Sequence, residues 1–215
     1  MCICLERFIN WEVQMKKYLA LIALIFGVNA NAALITSIDE ATIADGNHSH
    51  SNGGGFAGVG YWFTEESRAV VEFDSTSIIG DSSGVLSFDL STPGGLCCGQ
   101  DQNYLGDFNI YAFIGDGSVT DSDFFLTTTL LGTASAAGLS VGDSISIDIS
   151  SFLSTFNSNN LGIVLDPLGA NGGSLTQETV FNNFRIDTTS VPEPSSLALL
   201  LLTLVGVGTR FSKKN

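Results

Sequence analysis

Residues 33–190 are predicted to form an all-β fold, an antiparallel β-sandwich of jelly-roll-like topology. Apolar and polar residues alternate with period two over most of this segment, and Gly- and Asp-rich stretches separate about eight such runs. Helical periodicity is almost absent, and short strands joined by tight turns are typical of sandwiches. The segment has about 158 residues, enough for one domain with a substantial core.

The clearest predicted strands alternate regularly. Residues 144–150 place three isoleucines on one face and Ser or Asp on the other, and residues 86–90 alternate in the same way. Residues 108–114 are apolar on both faces apart from Asn109, which predicts a central strand. The other predicted strands are residues 58–63, 69–73, 124–131, 161–165 and 181–186.

Glycine and aspartate mark the predicted turns, because both residue types adopt the backbone conformations that tight turns need. These turns are residues 80–84, 115–117 and 141–143. Residues 45–55 are rich in Gly, Ser and Asn and predict a loop, whereas residues 151–156 predict a single helical turn.

The N-terminal region has the pattern of a secretory signal at residues 15–32. Two lysines follow Met15, an apolar stretch spans residues 19–28, and Ala30 and Ala32 supply the small residues of a cleavage site before Ala33. This pattern predicts a signal helix and implies the Sec translocon and signal peptidase as partners.

Residues 1–14 suit neither a signal nor a folded element, since they include Glu6, Trp11 and Glu12. We interpret Met15 as the start of translation and residues 1–14 as an upstream extension.

Residues 191–215 contain three features in a fixed order. An extended peptide comes first, because each proline fixes its own φ and disfavours helix before it; its residues are Val191, Pro192, Glu193 and Pro194. The uncharged run 197–207 follows and, with its flanks, predicts a short transmembrane helix of about 15 residues, below the roughly 20 of a full span. A basic end with Arg210, Lys213 and Lys214 closes the segment.

This order resembles the PEP-CTERM sorting signal of Gram-negative bacteria that make extracellular polysaccharide. The resemblance implies that exosortase, an integral-membrane cysteine transpeptidase, recognises and processes the tail. It also implies an inner-membrane intermediate that is then delivered to the cell surface or the extracellular matrix.

The charge of the central segment excludes one class of partner. Residues 33–190 contain 19 Asp and Glu against only Arg68 and Arg185, which gives a net charge of −17. Such a surface repels nucleic acid, so no nucleic-acid partner is predicted. Two interpretations remain open: the acidity keeps an exported protein soluble, or it recruits divalent cations.

Two adjacent cysteines, Cys97 and Cys98, are the only ones in the central segment. In an oxidising compartment they can form a strained vicinal disulfide, pair with another chain or stay free. No His or further Cys lies nearby at ligand spacing, which argues against a metal or redox role.

Residues 115–123 resemble the second half of an EF-hand-type calcium loop. The first and third ligand positions would fall on Ala112 and Ile114, which cannot coordinate Ca²⁺. The alternatives are a simple β-turn or a calcium site of another kind. The candidate ligands of such a site are Asp116, Asp121 and Asp123.

No catalytic motif emerges from the sequence. His48 and His50 are the only histidines and lie in the predicted loop, so they give a weak zinc signal and no obvious triad. Acids are so abundant that some pair always falls near the separation a glycosidase needs. The chain is therefore predicted not to be an enzyme.

Three aromatic residues are candidates for stacking on sugar: Trp62, Tyr104 and Tyr111. The alternative is that they pack in the core, because neighbouring residues of a strand point to opposite faces.

Three functions follow, in order of preference. The first is an exported, non-catalytic component of the cell surface or exopolysaccharide matrix, sorted by exosortase. The second is a carbohydrate-binding module for extracellular polysaccharide, with or without calcium, and the third is a glycoside hydrolase.

Overall fold

The computed structural model describes residues 32–45, 48–50, 57–62, 65–93, 102–104, 106–169 and 177–189. All of them belong to the unit Asn31–Ser190. The predicted signal helix, the predicted C-terminal transmembrane helix and residues 1–14 lie outside the described residues. Within the described ranges, no helix has the length and apolar character needed to cross a membrane.

The described residues form eleven strands, two short 3₁₀ helices and one α-helical turn. The strands are β1 Ala32–Ala44, β2 His48–His50, β3 Ala57–Trp62, β4 Glu65–Asp74, β5 Gly84–Thr92, β6 Gln102–Asn103, β7 Asp107–Ile114, β8 Thr129–Ser135, β9 Ser144–Asp148, β10 Asn160–Pro167 and β11 Gln177–Thr189. The 3₁₀ helices are Thr76–Ile78 and Asp121–Phe125, and α1 is Ser150–Leu153. Every described strand pairing is antiparallel except that of β6 with β11, which confirms the predicted all-β, antiparallel class.

The two longest strands change partners along their length. The first part of β1 pairs with β11 and its second part with β4, with an irregularity between Ser37 and Asp39. Strand β11 pairs with β3, β5 and β1, and it bends at Asn183, whose φ is +53°. Strands that switch sheets at bulges make the corners of two-layered β-structures.

The pairings give two layers that share β1 and β11. One contains β9, β5, β11 and the start of β1, and the other contains the end of β1 followed by β4, β10, β7 and β8. This arrangement agrees with a β-sandwich. Strand β7 lies between β10 and β8, so the prediction that residues 108–114 form an internal strand is confirmed.

The main core lies between the layers and is rich in phenylalanine. Phe88 stacks on Phe184 with ring centroids 4.9 Å apart and meets Phe181 edge-on at 5.1 Å. Buried aliphatic residues from β4, β5, β7 and β10 surround these rings. The alternation along residues 86–90 therefore marks a strand whose apolar residues enter the core, as predicted.

The strand predicted at residues 124–131 is wrong in its first half. Asp121–Phe125 forms a 3₁₀ helix, and the strand starts only at Thr129. The apolar residues at 124–126 do not belong to a sheet; Phe124 and Leu126 instead pack on the outside of one. The loop predicted at residues 45–55 is also interrupted, because His48–His50 pairs with the end of β1.

Candidate functional site

A loop segment covers the outer face of the second layer. Residues 115–128, here called the outer segment, connect β7 to β8 and contain the second 3₁₀ helix. Beneath it lies a small second core, separate from the one between the layers. Its buried members are Ile43, Val70, Phe113, Phe124 and Val164.

Arg68 of β4 holds the outer segment against the sheet. Its Nη1 donates to the carbonyl oxygen of Phe124 at 2.7 Å, and its guanidinium lies 4.4 Å from the centroid of the Phe124 ring. Arg68 also forms ion pairs with Glu66, at 2.6 Å, and Asp166, at 3.1 Å. The positive charge of Arg68 is therefore already paired with two carboxylates.

Acidic side chains shape the backbone of the outer segment. Asp123 accepts hydrogen bonds from the amide of Thr120 at 2.7 Å and from its hydroxyl at 3.1 Å, which fixes the start of the 3₁₀ helix. Asp116 accepts from the amide of Ser118 at 3.0 Å. Asp39 reaches across from β1 and accepts from the amide of Val119 at 2.8 Å.

Glu72 lies under this segment, on the same outer face of β4 as Arg68 and Val70. Its side chain is 0% exposed, and neither carboxylate oxygen has a hydrogen-bond partner among the described residues. Gly115 lies directly over the carboxylate, because a β-carbon there would overlap both oxygens. Across the β1–β4 pairing Glu72 stands opposite Asp39, another acid.

Burial raises the pKa of Glu72 to about 7. The backbone N–H groups of Gly117 and Asp116 lie near enough to oppose this rise, although neither reaches hydrogen-bond geometry. The carboxylates of Asp123 and Asp116 then raise this pKa further. Within the outer segment, Asp121 also has a buried oxygen, Oδ1, without a partner among the described residues.

The three predicted calcium ligands share the outer segment but are not gathered into one group. Asp123 is buried, whereas Asp116 is exposed at the surface. In the part of the chain that the structure describes, no three His, Cys, Asp or Glu side chains come together as a metal site. Sequence reasoning missed Glu72, although an acid inside the apolar run from Ala69 to Phe73 was a signal for it.

The aromatic candidates have different surroundings. Tyr104 is only 5% exposed, and its hydroxyl donates to the carbonyl oxygens of Asp107, at 2.7 Å, and Leu168, at 2.8 Å. Burial raises the pKa of Tyr104 to about 12. A buried ring offers no face to a sugar, so the stacking role expected for Tyr104 is corrected to a core role.

Tyr111 is half-buried beside the second core, and its hydroxyl accepts from the side-chain amide of Asn109 at 3.3 Å. Trp62 ends β3, paired with Glu65, and its side chain lies outside the described residues. The structure therefore does not bring the three aromatic candidates together on one described surface.

Other predicted site residues lie at or beyond the edge of the described ranges. His48 and His50 form the ends of β2, which pairs with Ala44 and Thr42, and their side chains are not described. Ala32 and Ala33 of the predicted cleavage site begin β1, so that site falls at the start of a strand. Outside the described residues are Ala30, Cys97, Cys98, Val191, Pro192, Glu193 and Pro194.

Two cavities open on the described surface. One, of about 770 Å³, is a groove of mixed polar and apolar lining between the β7–β8 end of the second layer and α1. The other, of about 470 Å³, is lined in part by Glu40, Asp89 and Arg185. In the smaller cavity, burial raises the pKa of Glu40.

The Asp89 pKa moves in the opposite direction. Burial alone would raise it, but hydrogen bonds from Ser144, Arg185 and Asn183 outweigh burial and lower it. The smaller cavity thus pairs one carboxylate of raised pKa with one of lowered pKa.

Comparison with solved structures gives matches to ten chains. One of them, a chain of the crystal structure of the T13 IBDV viral particle, is 17% identical, with a TM-score of 0.26, and the match covers 74% of this chain and 31% of that chain. This chain thus spans about a third of the length of the solved chain it matches. A likeness this distant carries no inference about function. A search of curated proteins finds no match.

The family comparison concerns the segment that follows β11. A family model described as the PEP-CTERM protein-sorting motif matches residues 190–214. The match begins one residue after the last residue of β11, Thr189, and includes the Pro-Glu-Pro triplet, the apolar run and the basic residues. Residues 190–214 are therefore a PEP-CTERM protein-sorting motif, which marks this chain as an exosortase-targeted secreted protein, processed at the membrane on its way to the cell surface.

Proposed function

We propose that the chain is a non-catalytic passenger that serves as a structural component of the cell surface or exopolysaccharide matrix of a Gram-negative bacterium. The observation that carries the proposal is the sorting motif at residues 190–214, which follows the strand-rich unit Asn31–Ser190, here called the β-unit. In this proposal the β-unit is a jelly-roll-like sandwich that acts after export.

The surface chemistry supports a role outside the cell. Residues 33–190 carry a net charge of −17, which favours solubility and opposes binding to nucleic acid. Both arginines of this segment are engaged in ion pairs with acids of the same chain. The β-unit thus presents an acidic exterior to its surroundings.

The described carboxylates favour a structural role over hydrolysis. The Glu72 pKa of about 7 would suit a general acid at neutral pH. Its full burial, however, keeps a soluble substrate away from it. A glycosidase needs two carboxylates that flank an accessible bond. With Tyr104 buried, no described observation favours sugar binding over the structural role.

The proposal is tested by deleting the gene in the producing strain and measuring surface attachment, floc formation and matrix composition. We expect at least one of these properties to change and the unaltered gene to restore it. If all three stay the same while the protein is present in the wild-type surface fraction, the structural role is refuted.

A further inference from the structure

Glu72 is a buried acid that lacks a counter-charge. It is 0% exposed, and neither carboxylate oxygen has a hydrogen-bond partner among the described residues. Arg68 and Arg185, the only Lys or Arg residues in 33–190, are both paired with other carboxylates. Burying an ionised carboxylate in this way is costly, whereas the protonated acid carries no charge that needs compensation.

The charged groups around Glu72 do not favour its ionised form. Among the described residues, the elements packed against it on the outer face of the second layer contribute acids, one tyrosine and Arg68, which already pairs with Glu66 and Asp166. Asp123 and Asp116 lie near enough to repel the Glu72 carboxylate directly. The titratable and charged groups on this face are Asp39 of β1, Glu66, Arg68 and Asp74 of β4, Tyr111 of β7, Asp166 of β10, and Asp116, Asp121 and Asp123 of the outer segment.

The backbone of the outer segment does not compensate for these acids. The N–H groups of Gly117 and Asp116 face the carboxylate, but neither reaches hydrogen-bond geometry. Gly115 packs so closely that a β-carbon there would overlap both oxygens, and these oxygens are shielded from solvent. The closed segment therefore accommodates a neutral Glu72 better than an ionised one.

Asp39 links Glu72 to the outer segment. It stands opposite Glu72 across the β1–β4 pairing, and its Oδ2 accepts a hydrogen bond from the amide of Val119 at 2.8 Å. Like charges on directly opposite residues of two strands repel each other. Ionisation of Glu72 therefore disfavours the arrangement in which Asp39 holds Val119.

We propose that Glu72 is a pH-sensitive latch for residues 115–120 of the outer segment. When Glu72 is neutral, these residues lie closed over it. When Glu72 is ionised, they move outward and water reaches the carboxylate. Arg68 still donates to the carbonyl oxygen of Phe124, so the rest of the segment keeps its attachment to the sheet.

The pH range of the latch follows from the Glu72 pKa, which burial raises from its ordinary value of 4.5 to about 7. Below the ordinary value, both the folded and the unfolded chain hold the proton, and the stability of the closed form is fully present. Between the two values only the folded protein holds it, so stability falls as the pH rises. The loss is complete once the pH has passed about 7.

The test compares the melting temperatures of the full chain and of Glu72→Gln at about pH 5 and about pH 8. Glutamine has nearly the shape of the neutral acid and cannot ionise, so the variant should gain stability relative to the wild type as the pH rises. We expect the difference in melting temperature to grow by about 3 °C or more in favour of the variant. Both proteins contain the histidines His48 and His50, so histidine titration cancels in the comparison.

Hydrogen exchange, corrected for its intrinsic pH dependence, locates the change. In the wild type, residues 115–120 should exchange faster at the higher pH relative to strand β10, and this increase should be absent in Glu72→Gln. Asp187→Asn removes an exposed acid of β11 and should behave like the wild type in both measurements. If Glu72→Gln does not fold, the exchange of the wild type decides.

The proposal is overturned if residues 115–120 of the wild type show the same corrected exchange at both pH values. It is equally overturned if folded Glu72→Gln and the wild type differ in melting temperature by the same amount at both pH values.

Discussion

Single residues with unusual surroundings concentrate under the outer segment. Glu72 combines full burial with two oxygens that have no described partner, and Gly115 leaves room for its carboxylate. Arg68, on the same face of β4, is by contrast fully paired. It forms ion pairs with two acids, donates to the Phe124 carbonyl oxygen and lies over the Phe124 ring. The outer face of β4 thus carries a fully paired arginine and, two side chains further along the same face, a buried carboxylate without a described partner.

Gly115→Ala should destabilise the protein, because its β-carbon would overlap the Glu72 carboxylate. We expect the free energy of unfolding to fall by about 1–3 kcal/mol, the usual cost of overpacking. Urea unfolding measures it. Gly132→Ala is the matched control, since a β-carbon there makes ordinary contact with Ile147 at 3.5 Å. Equal stability of Gly115→Ala and the wild type would contradict this packing.

Asp89→Asn should lower stability at neutral pH and much less in acid. Asp89 forms an ion pair with Arg185 at 3.1 Å, and hydrogen bonds hold its pKa below the usual range. A group with a lowered pKa stabilises the folded state above its unfolded pKa, and this stabilisation is lost as the pH falls through its folded pKa. We expect a loss of about 1 kcal/mol at pH 7 that shrinks below about pH 4.

Urea unfolding at several pH values measures this difference. Asp187→Asn, at an exposed position of β11, should change stability by less than about 0.5 kcal/mol at neutral pH. A loss for Asp89→Asn that is the same at pH 3 and pH 7 would contradict the role of its charge.

At the scale of elements, the outer segment is joined to the sheet by hydrogen bonds to Arg68 and Asp39 and by the packing of one buried aromatic side chain. Phe124 is 6% exposed and sits in the second core, whereas its neighbour Phe125 is 65% exposed. The Phe124 side chain therefore supplies the buried apolar contact of this segment, while Arg68 and Asp39 supply its hydrogen bonds to the sheet.

Phe124→Ala should therefore destabilise the protein by about 3–5 kcal/mol, the usual cost of removing a buried aromatic side chain. Phe125→Ala is the matched control and should cost less than about 1 kcal/mol. Thermal unfolding gives both values, and hydrogen exchange should show faster exchange in residues 115–128 for Phe124→Ala only. Similar effects of the two variants would show that the outer segment is not anchored in this way.

The elements that the sequence predicted well are those with a regular apolar pattern. Strands β5 and β9 were predictable because their apolar residues alternate, and β7 because it is apolar on both faces, as an internal strand is. Strand β1 was not predicted, since an irregularity at Ser37–Asp39 breaks its pattern where it changes partner. Residues 124–126 were misassigned because the sequence of a short apolar run does not show whether the run forms a strand or packs on the outer face of a sheet.

The site was harder to predict than the strands. The acids of the outer segment were visible in the sequence, but their relation to Glu72 depends on a contact between residues more than 40 positions apart. Tyr104 was harder to place for a different reason. The local sequence is the same for a tyrosine that stacks on a ligand and for one that packs in a core, as Tyr104 does.

At the scale of the whole molecule, the sorting motif and the β-unit have different roles. The motif at residues 190–214 directs the chain to exosortase, and its match starts where β11 has just ended. The β-unit is acidic, almost free of helix within the described ranges, and contains the second core and the buried Glu72. In the proposed function, the motif delivers the chain and the β-unit acts outside the cell.

The most direct test of this account compares the location and intact mass of the protein in the producing strain for wild type, Glu193→Ala and the control Asp187→Asn. If exosortase processes the motif, wild type and Asp187→Asn should reach the cell surface in a shortened form without the apolar run 197–207. Glu193→Ala should stay in the membrane fraction with this run intact. Surface protein that retains residues 197–207 in all three strains would contradict the account.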